Sequence, residues 1–247
     1  MASPDSPACE LVVFAAHPDD AELCCGGLLL NTAKRGRTTA VVDVTRGELG
    51  SLGTPEIRAT EAAAAAEALG LTRRVNLGIP DGHVRDTDEN RLLVVRTIRE
   101  LKPQLVITPP AEDHHPDHMG LADLVRQSFY LCGIKNYLPE VPPHRPRALL
   151  HHMGSQPLDP QVVVDISDVI EERMAAVRCY QSQFGQSQDS DFPVRIASKR
   201  FLESIEASFK YFGSLIGVAY GEPYTSALPL PATDLVGLFD IEPWKDH

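Results

Sequence analysis

One chemically active triplet occurs twice in this chain. His17-Pro18-Asp19 runs into Asp20, and His115-Pro116-Asp117 runs into His118. Three imidazole or carboxylate donors around one point, with a fourth position open, form the ligand set of a catalytic zinc. A further carboxylate beside water at such a metal is placed to take its proton. Pro18 fixes φ and suits a tight strand-to-helix turn, which can aim His17 and Asp20 at one metal and leave Asp19 close by. The competing reading makes Asp19 and Asp20 a helix cap and a first-turn carboxylate favoured by the helix dipole. The second cluster, Asp113 to His118, weighs against it by placing three imidazoles and two carboxylates in six residues. Spacing alone does not say which histidine is the ligand. His118 holds the position that Asp20 holds in the first copy. His115 would then face the site as an acid or as a donor to developing negative charge, with Asp117 holding its tautomer.

Elements must bring the two clusters together. Each follows an apolar run that reads as a buried strand, residues 10–16 before the first and Gln104–Thr108 before the second. Between and after them the pattern alternates. Helices are expected at Asp20–Lys34, from Thr54-Pro55 to Gly70, at Arg91–Leu101, from near His118, from a Ser167 cap to about Gln181, and at Ser198–Val218. Strands are expected at Thr38–Val44, Arg74–Leu77, Ala148–His151 and Val162–Ile166. Residues 45–53 form a loop with three glycines, and Ile79-Pro80-Asp81-Gly82 a turn. Gln183–Pro193 reads as a loop. The tail from Gly221, with prolines at 223, 229, 231 and 243, reads as irregular. The expected fold is α/β, a single Rossmann-like domain over 1–247: a mostly parallel sheet with helices on both faces. Such sheets carry their sites beyond the carboxyl ends of the strands. No GxGxxG follows the first strand, which weakens a dinucleotide reading.

Composition sets bounds. The chain has 247 residues, 43% hydrophobic and 23% charged, with a formal charge of −11. An acidic chain is a poor nucleic-acid binder, and an anionic substrate would need local cations. No run approaches a membrane span, and residues 1–7 lack the features of a signal peptide, so the cytoplasm is the expected compartment. The five cysteines, at 9, 24, 25, 132 and 179, have no metal-like spacing and read as reduced thiols.

The stretch HPDDAELCCGG at 17–27 and the later HPDH resemble the LmbE/PIG-L family of zinc-dependent N-acetylglucosaminyl deacetylases. Further similar segments are TRGELGSLGT at 45–54, RATEAAAAAEALG at 58–70, NLGIPDG at 76–82, HRPRALLHH at 144–152, VVVDIS at 162–167, YQSQF at 180–184 and IGVAYGEPY at 216–224. They look most like the bacillithiol-pathway branch, which deacetylates N-acetylglucosaminyl malate. The resemblance implies an LmbE-like fold and one Zn2+ held by His17, Asp20 and His118. It implies Asp19 as general base, and His115 as electrostatic or acid partner with Asp117 behind it. It implies Arg58 near an acidic aglycone and Asp81 on sugar hydroxyls. Read as plain structure, Arg58 would pair with Glu61 on an exposed helix face, and Asp81 would be a turn carboxylate. His114 stands among the substrate-binding positions where relatives in this branch often carry arginine. Tyr220 either reaches the site or packs in the core. A homo-oligomer is implied, with a hexamer among the expected assemblies.

The expected reaction is hydrolysis of an N-acetyl amide on a glucosamine conjugate. The rivals are deacetylation of another N-acetylglucosamine conjugate, amide hydrolysis of a thiol conjugate, a Rossmann-like nucleotide- or metal-binding module without hydrolase activity, and a structural or regulatory zinc protein. A structural zinc usually has four protein ligands, often cysteine; here three are offered, with carboxylates alongside.

Overall fold

The computed structural model describes residues 8–154, 159–185, 195–226, 228–230, 233, 236 and 237. Its strands are β1 (Leu11–Ala15), β2 (Thr39–Asp43), β3 (Arg73–Asn76), β4 (Leu105–Thr108), β5 (Ala148–His152), β6 (Val162–Asp165) and β7 (Gly221–Ser226). The helices are α1 (Asp20–Lys34), α2 (Pro55–Ala68), α3 (Asp88–Leu101), α4 (Pro116–Leu131), α5 (Ile170–Arg178), α6 (Gln181–Phe184) and α7 (Lys199–Ile216).

All seven strands join one sheet in the order β3-β2-β1-β4-β5-β7-β6. Those from β3 to β5 run parallel, and β7 is antiparallel to both its neighbours. From β1 the chain turns outward to β2 and β3, then crosses back so that β4 pairs with β1, Val13 opposite Ile107. That reversal leaves a crevice at the carboxyl ends of β1 and β4, where α/β sheets bind ligands. Alternation along the strands feeds two cores. Val12, Phe14 and Val106 pack with Val94 and Ile98 of α3 and Leu121 and Leu124 of α4. On the opposite face Leu11, Val13 and Ile107 pack with Leu29 of α1, Ala176 of α5 and Phe209 of α7. Helices thus cover both faces, as expected. No helix among the described residues is long and apolar enough to cross a membrane.

Three expectations change. Helix α3 starts three residues early, because the Thr87 hydroxyl caps it by accepting from Asn90 N–H, with Asp88 and Glu89 in the first turn. Ser167 does not cap a long helix. Its hydroxyl donates to Asp165 Oδ1 and accepts from Tyr220 N–H, and a short 3-10 turn precedes α5. The tail from Gly221 is not irregular but opens as β7, threaded between β5 and β6. Pro223 is tolerated because the β5 register ends at Tyr224, so no β5 carbonyl awaits its missing N–H. Most of the expected loop at 183–193 and the prolines at 231 and 243 lie outside the described residues.

Candidate metal and active site

The two clusters meet in the β1/β4 crevice. Asp20 Oδ2 lies 3.3 Å from His17 Nδ1 and 3.4 Å from His118 Nε2. Two donors bound to one zinc at about 2.05 Å with a tetrahedral angle sit about 3.3 Å apart. Asp20 is thus at ligand spacing from each of the two imidazoles, and all three side chains are between 12 and 17% exposed. The outer ring nitrogens are also held. His118 Nδ1 is 3.3 Å from Asp113 Oδ2, and His17 Nε2 is 3.2 Å from Asp81 Oδ1 and 3.4 Å from Asp117 Oδ2. A carboxylate behind each imidazole fixes its tautomer and raises its basicity, as around bound metals. The groupings whose donor atoms all lie within 4.8 Å of one another, among the described residues, are His17-His115-His118 and His17-Asp81-Asp117. The second uses the outward nitrogen of His17, the one expected to carry the tautomer-fixing hydrogen. In the first, His115 Nδ1 is already engaged as the cap of α4, accepting from Asp117 N–H at 3.3 Å.

Asp19 is the strained residue of the site. Its φ is +114°, a region that disfavours a side chain. It stands at the cap position of α1 but makes no capping bond, so the cap reading fails. Its carboxylate instead accepts from Arg58 Nη2 at 2.9 Å, and the same nitrogen donates to the Pro18 carbonyl. Burial and the nearby Asp20 charge push the Asp19 pKa up, Arg58 opposes them, and the result is about 7. Burial disfavours charge on His17 and His118, but the carboxylates outweigh it, holding His17 well above its usual range and His118 at about 10. Burial also raises Asp20, but the His118 and His17 charges win and hold it well below the carboxylate range. His115 stacks on His118 with ring centroids 4.9 Å apart, and burial together with the charges of His17 and His118 lowers its pKa. With Nδ1 accepting, a neutral His115 carries its proton on Nε2 and is a donor.

Other expected residues are brought to the site in different roles. Asp117 does not orient His115 through its carboxylate: it accepts from Gly82 and Val84 N–H and faces His17. Asp81 is buried, with Oδ1 on His17 and Oδ2 accepting from Leu49 N–H. It ties the glycine-rich loop to His17, and both its oxygens are engaged there rather than open to sugar hydroxyls. Arg58 is 4% exposed and committed to Asp19, so it is not the expected free grip for an anion. Nor does it pair with Glu61, which accepts from Ser182 N–H and Oγ–H. Gly47 matters here because a Cβ would overlap the Arg58 guanidinium. His114 lies on the rim, 62% exposed, with Nδ1 2.9 Å from Asp113 Oδ1. Tyr220 points away from the site, its hydroxyl 3.3 Å from Glu206 Oε1.

Asp113, the partner of His118, was present in the cluster but had no role that spacing could assign. Glu48 was also missed: its carboxylate accepts from Arg46 and Asp81 N–H and closes the glycine-rich loop on the IPDG turn. Beside Pro18 a cavity of about 310 Å³ is lined by Arg46, Arg74, Asn76 and the small side chains of Ala59, Ala62 and Ala63. Arg74 is occupied there by Asp43, at 2.7 and 2.8 Å, and by Glu22. Arg46 is exposed.

The PIG-L family pattern, described as GlcNAc-PI de-N-acetylase, matches residues 12–129, the span that carries both triplets. A solved conserved protein from Thermus thermophilus is 38% identical, superposes with a TM-score of 0.84, and is matched over 92% of this chain and 98% of its own. The chain belongs to the PIG-L/LmbE family. The diacetylchitobiose deacetylase of Thermococcus kodakarensis is 27% identical over 86% of this chain and 81% of its own length. A probable N-acetyl-α-D-glucosaminyl L-malate deacetylase of Bacillus subtilis is 25% identical over 70% of this chain and 82% of its own. The chain spans about half the length of other family members, the inositol-glucosaminide deacetylases, at 46% and 54%.

Proposed function

We propose that this protein is a zinc-dependent hydrolase that removes the N-acetyl group from an N-acetylglucosamine conjugate in the cytoplasm, with N-acetylglucosaminyl malate as the first substrate to test. The observation that carries the reading is Asp20 Oδ2 within 3.4 Å of a ring nitrogen of both His17 and His118, with a carboxylate of pKa about 7 on the adjacent residue. Zinc held by these three would supply Lewis acidity toward an acetyl carbonyl and bring the pKa of water toward neutrality. Asp19 takes the water proton, since a general base works best with a pKa near the operating pH. Arg58 keeps the Asp19 carboxylate ionised and aimed. His115 offers Nε2–H to the oxygen on which negative charge develops. Asp19, once protonated, or His115 returns a proton to the leaving amine.

Arg58 is spent on Asp19, so recognition of malate carboxylates falls to other groups. Arg46, exposed at the edge of the cavity beside Pro18, is the cation offered there, and His114 stands on the rim. A neutral conjugate such as diacetylchitobiose is the competing substrate, in line with the similarity to the Thermococcus kodakarensis enzyme. The deciding experiment measures metal content, then acetate and free amine release from both compounds. Release from the malate conjugate at the higher kcat/KM supports the full reading. Preference for chitobiose keeps the deacetylase and moves the substrate. A metal-free wild type, or release from neither compound, sinks the reading.

A further inference from the structure

The first triplet continues into Cys24-Cys25-Gly26-Gly27, a segment the chemistry above does not use. In an α-helix the Gly27 N–H points to the Leu23 carbonyl. Here the groups of α1 also bond outside the helix. Gly27 N–H donates to Glu222 Oε1 at 2.7 Å and Leu28 N–H to Glu222 Oε2 at 2.8 Å. The Leu23 carbonyl accepts from Arg173 Nη2. Arg173 comes from α5 and Glu222 from β7. Both side chains are fully buried, with Arg173 Nε 3.6 Å from Glu222 Oε1. Tyr224 O–H donates to Glu222 at 2.9 Å, and the Arg173 guanidinium lies over the Phe209 ring at 4.2 Å. The two glycines make room. A Cβ at Gly26 would sit 2.9 Å from Arg173 Cγ, and one at Gly27 would sit 2.8 Å from Ile166 Cβ and 2.9 Å from Glu222 Oε1.

This clamp is one backbone hydrogen bond away from the chemistry. Leu23, whose carbonyl Arg173 holds, donates its own N–H to the Asp19 carbonyl at 3.0 Å. Asp19 is the residue at φ +114°. We propose that Arg173 and Glu222 are positioning residues for the metal-binding turn: by gripping the backbone of α1 at Leu23, Gly27 and Leu28 they fix that helix against α5 and β7, and so hold Asp19 and Asp20 in register with His118. A purely structural ion pair could be buried anywhere in the core. This one is spent on three backbone groups of the helix whose first turn carries the ligand. The inference rests on the metal-site reading above.

The test measures affinity for Zn2+ by chelator competition and the visible spectrum of the Co2+-loaded protein. The variants are Glu222→Gln and Gly26→Ala. Arg99→Met serves as a control, because Arg99 is another buried arginine spent on carbonyls, those of Cys132, Ile134, Leu138 and Val141, far along the chain from the metal turn. Glu222→Gln keeps the shape but turns an amide donor toward a backbone N–H or the Tyr224 hydroxyl. The expected result is about tenfold weaker Zn2+ binding in Glu222→Gln, the scale seen when groups supporting metal ligands are lost. An altered Co2+ spectrum accompanies it, and Gly26→Ala moves in the same direction. Arg99→Met lowers thermal stability with unchanged affinity and spectrum. Unchanged affinity in both clamp variants overturns the proposal, as does a loss in Arg99→Met that matches theirs at equal loss of stability. Wild-type protein that binds neither ion overturns the metal reading itself, a failure separate from that of the clamp.

Discussion

Asp19 shows at the residue scale how the site is tuned. Burial raises its pKa to about 7, above the usual carboxylate value. The folded state therefore favours the protonated form, and Asp19 costs stability as pH rises from the unfolded value through about 7. Asp19→Asn removes that cost. The metal-free variant should melt above wild type at pH 8, with the gap closing toward pH 4. The same variant should retain Zn2+ and lose at least about a hundredfold in kcat, the scale of a lost general base. Near-normal turnover would move the base elsewhere. Arg58 acts on the same group with the opposite sign. Its cation lowers the Asp19 pKa, so Arg58→Met should shift the acidic limb of the kcat/KM profile to higher pH; an unmoved limb would mean that Arg58 does not control Asp19. The residue types of this site could be read from the two triplets alone. Their partners could not. Arg58 reaches Asp19 across 39 positions and Asp81 reaches His17 across 64, and such pairs depend on where α2 and the IPDG turn come to rest.

At the scale of elements, the strand–turn–helix units could be read because each is a local pattern: apolar run, His-Pro-Asp, helix. That β1 and β4 are neighbours follows from the α/β order. The place of β7 is hidden in the sequence, because Pro223 and Pro229 are turn signals locally, whereas the strand depends on distant pairing with Leu150–His152 of β5 and with the whole of β6. Asp117 illustrates how elements are tied together. From the first turn of α4 its two oxygens accept from Gly82 and Val84 N–H, at 2.7 and 3.1 Å, in the connection from β3 to α3. The same carboxylate backs His17. Asp117→Ala leaves the two N–H groups without this acceptor, at about 1–3 kcal/mol for each that stays buried and unpaired, and frees the His17 ring. The expected outcome is a lower Tm together with roughly 10- to 100-fold weaker Zn2+ binding. A variant that loses stability but keeps full affinity would separate the turn from the metal and refute the link.

The whole molecule carries a charge of −11, from 34 acidic and 23 basic side chains. That field acts on a charged substrate before any contact is made. The site adds to it, since Asp19, Asp20, Asp81, Asp113 and Asp117 cluster in one crevice and Arg58 and Arg74 are neutralised by their own partners. Against this stand exposed Arg46 and the dication that the proposed ligands would hold, both close to the site. Repulsion should dominate encounter for a dianionic malate conjugate, while a neutral chitobiose feels nothing. Salt screens the long-range part first, because the Debye length falls to about 10 Å at 0.1 M. Raising ionic strength from low salt should therefore increase kcat/KM for the malate conjugate and leave that for diacetylchitobiose flat, measured on the same zinc-loaded protein. A decrease for the malate conjugate would mean that local cations, Arg46 foremost, already outweigh the global charge. Arg46→Gln would then be the variant that abolishes the salt dependence. Flat profiles for both substrates would remove electrostatic encounter as a determinant of which conjugate this enzyme takes.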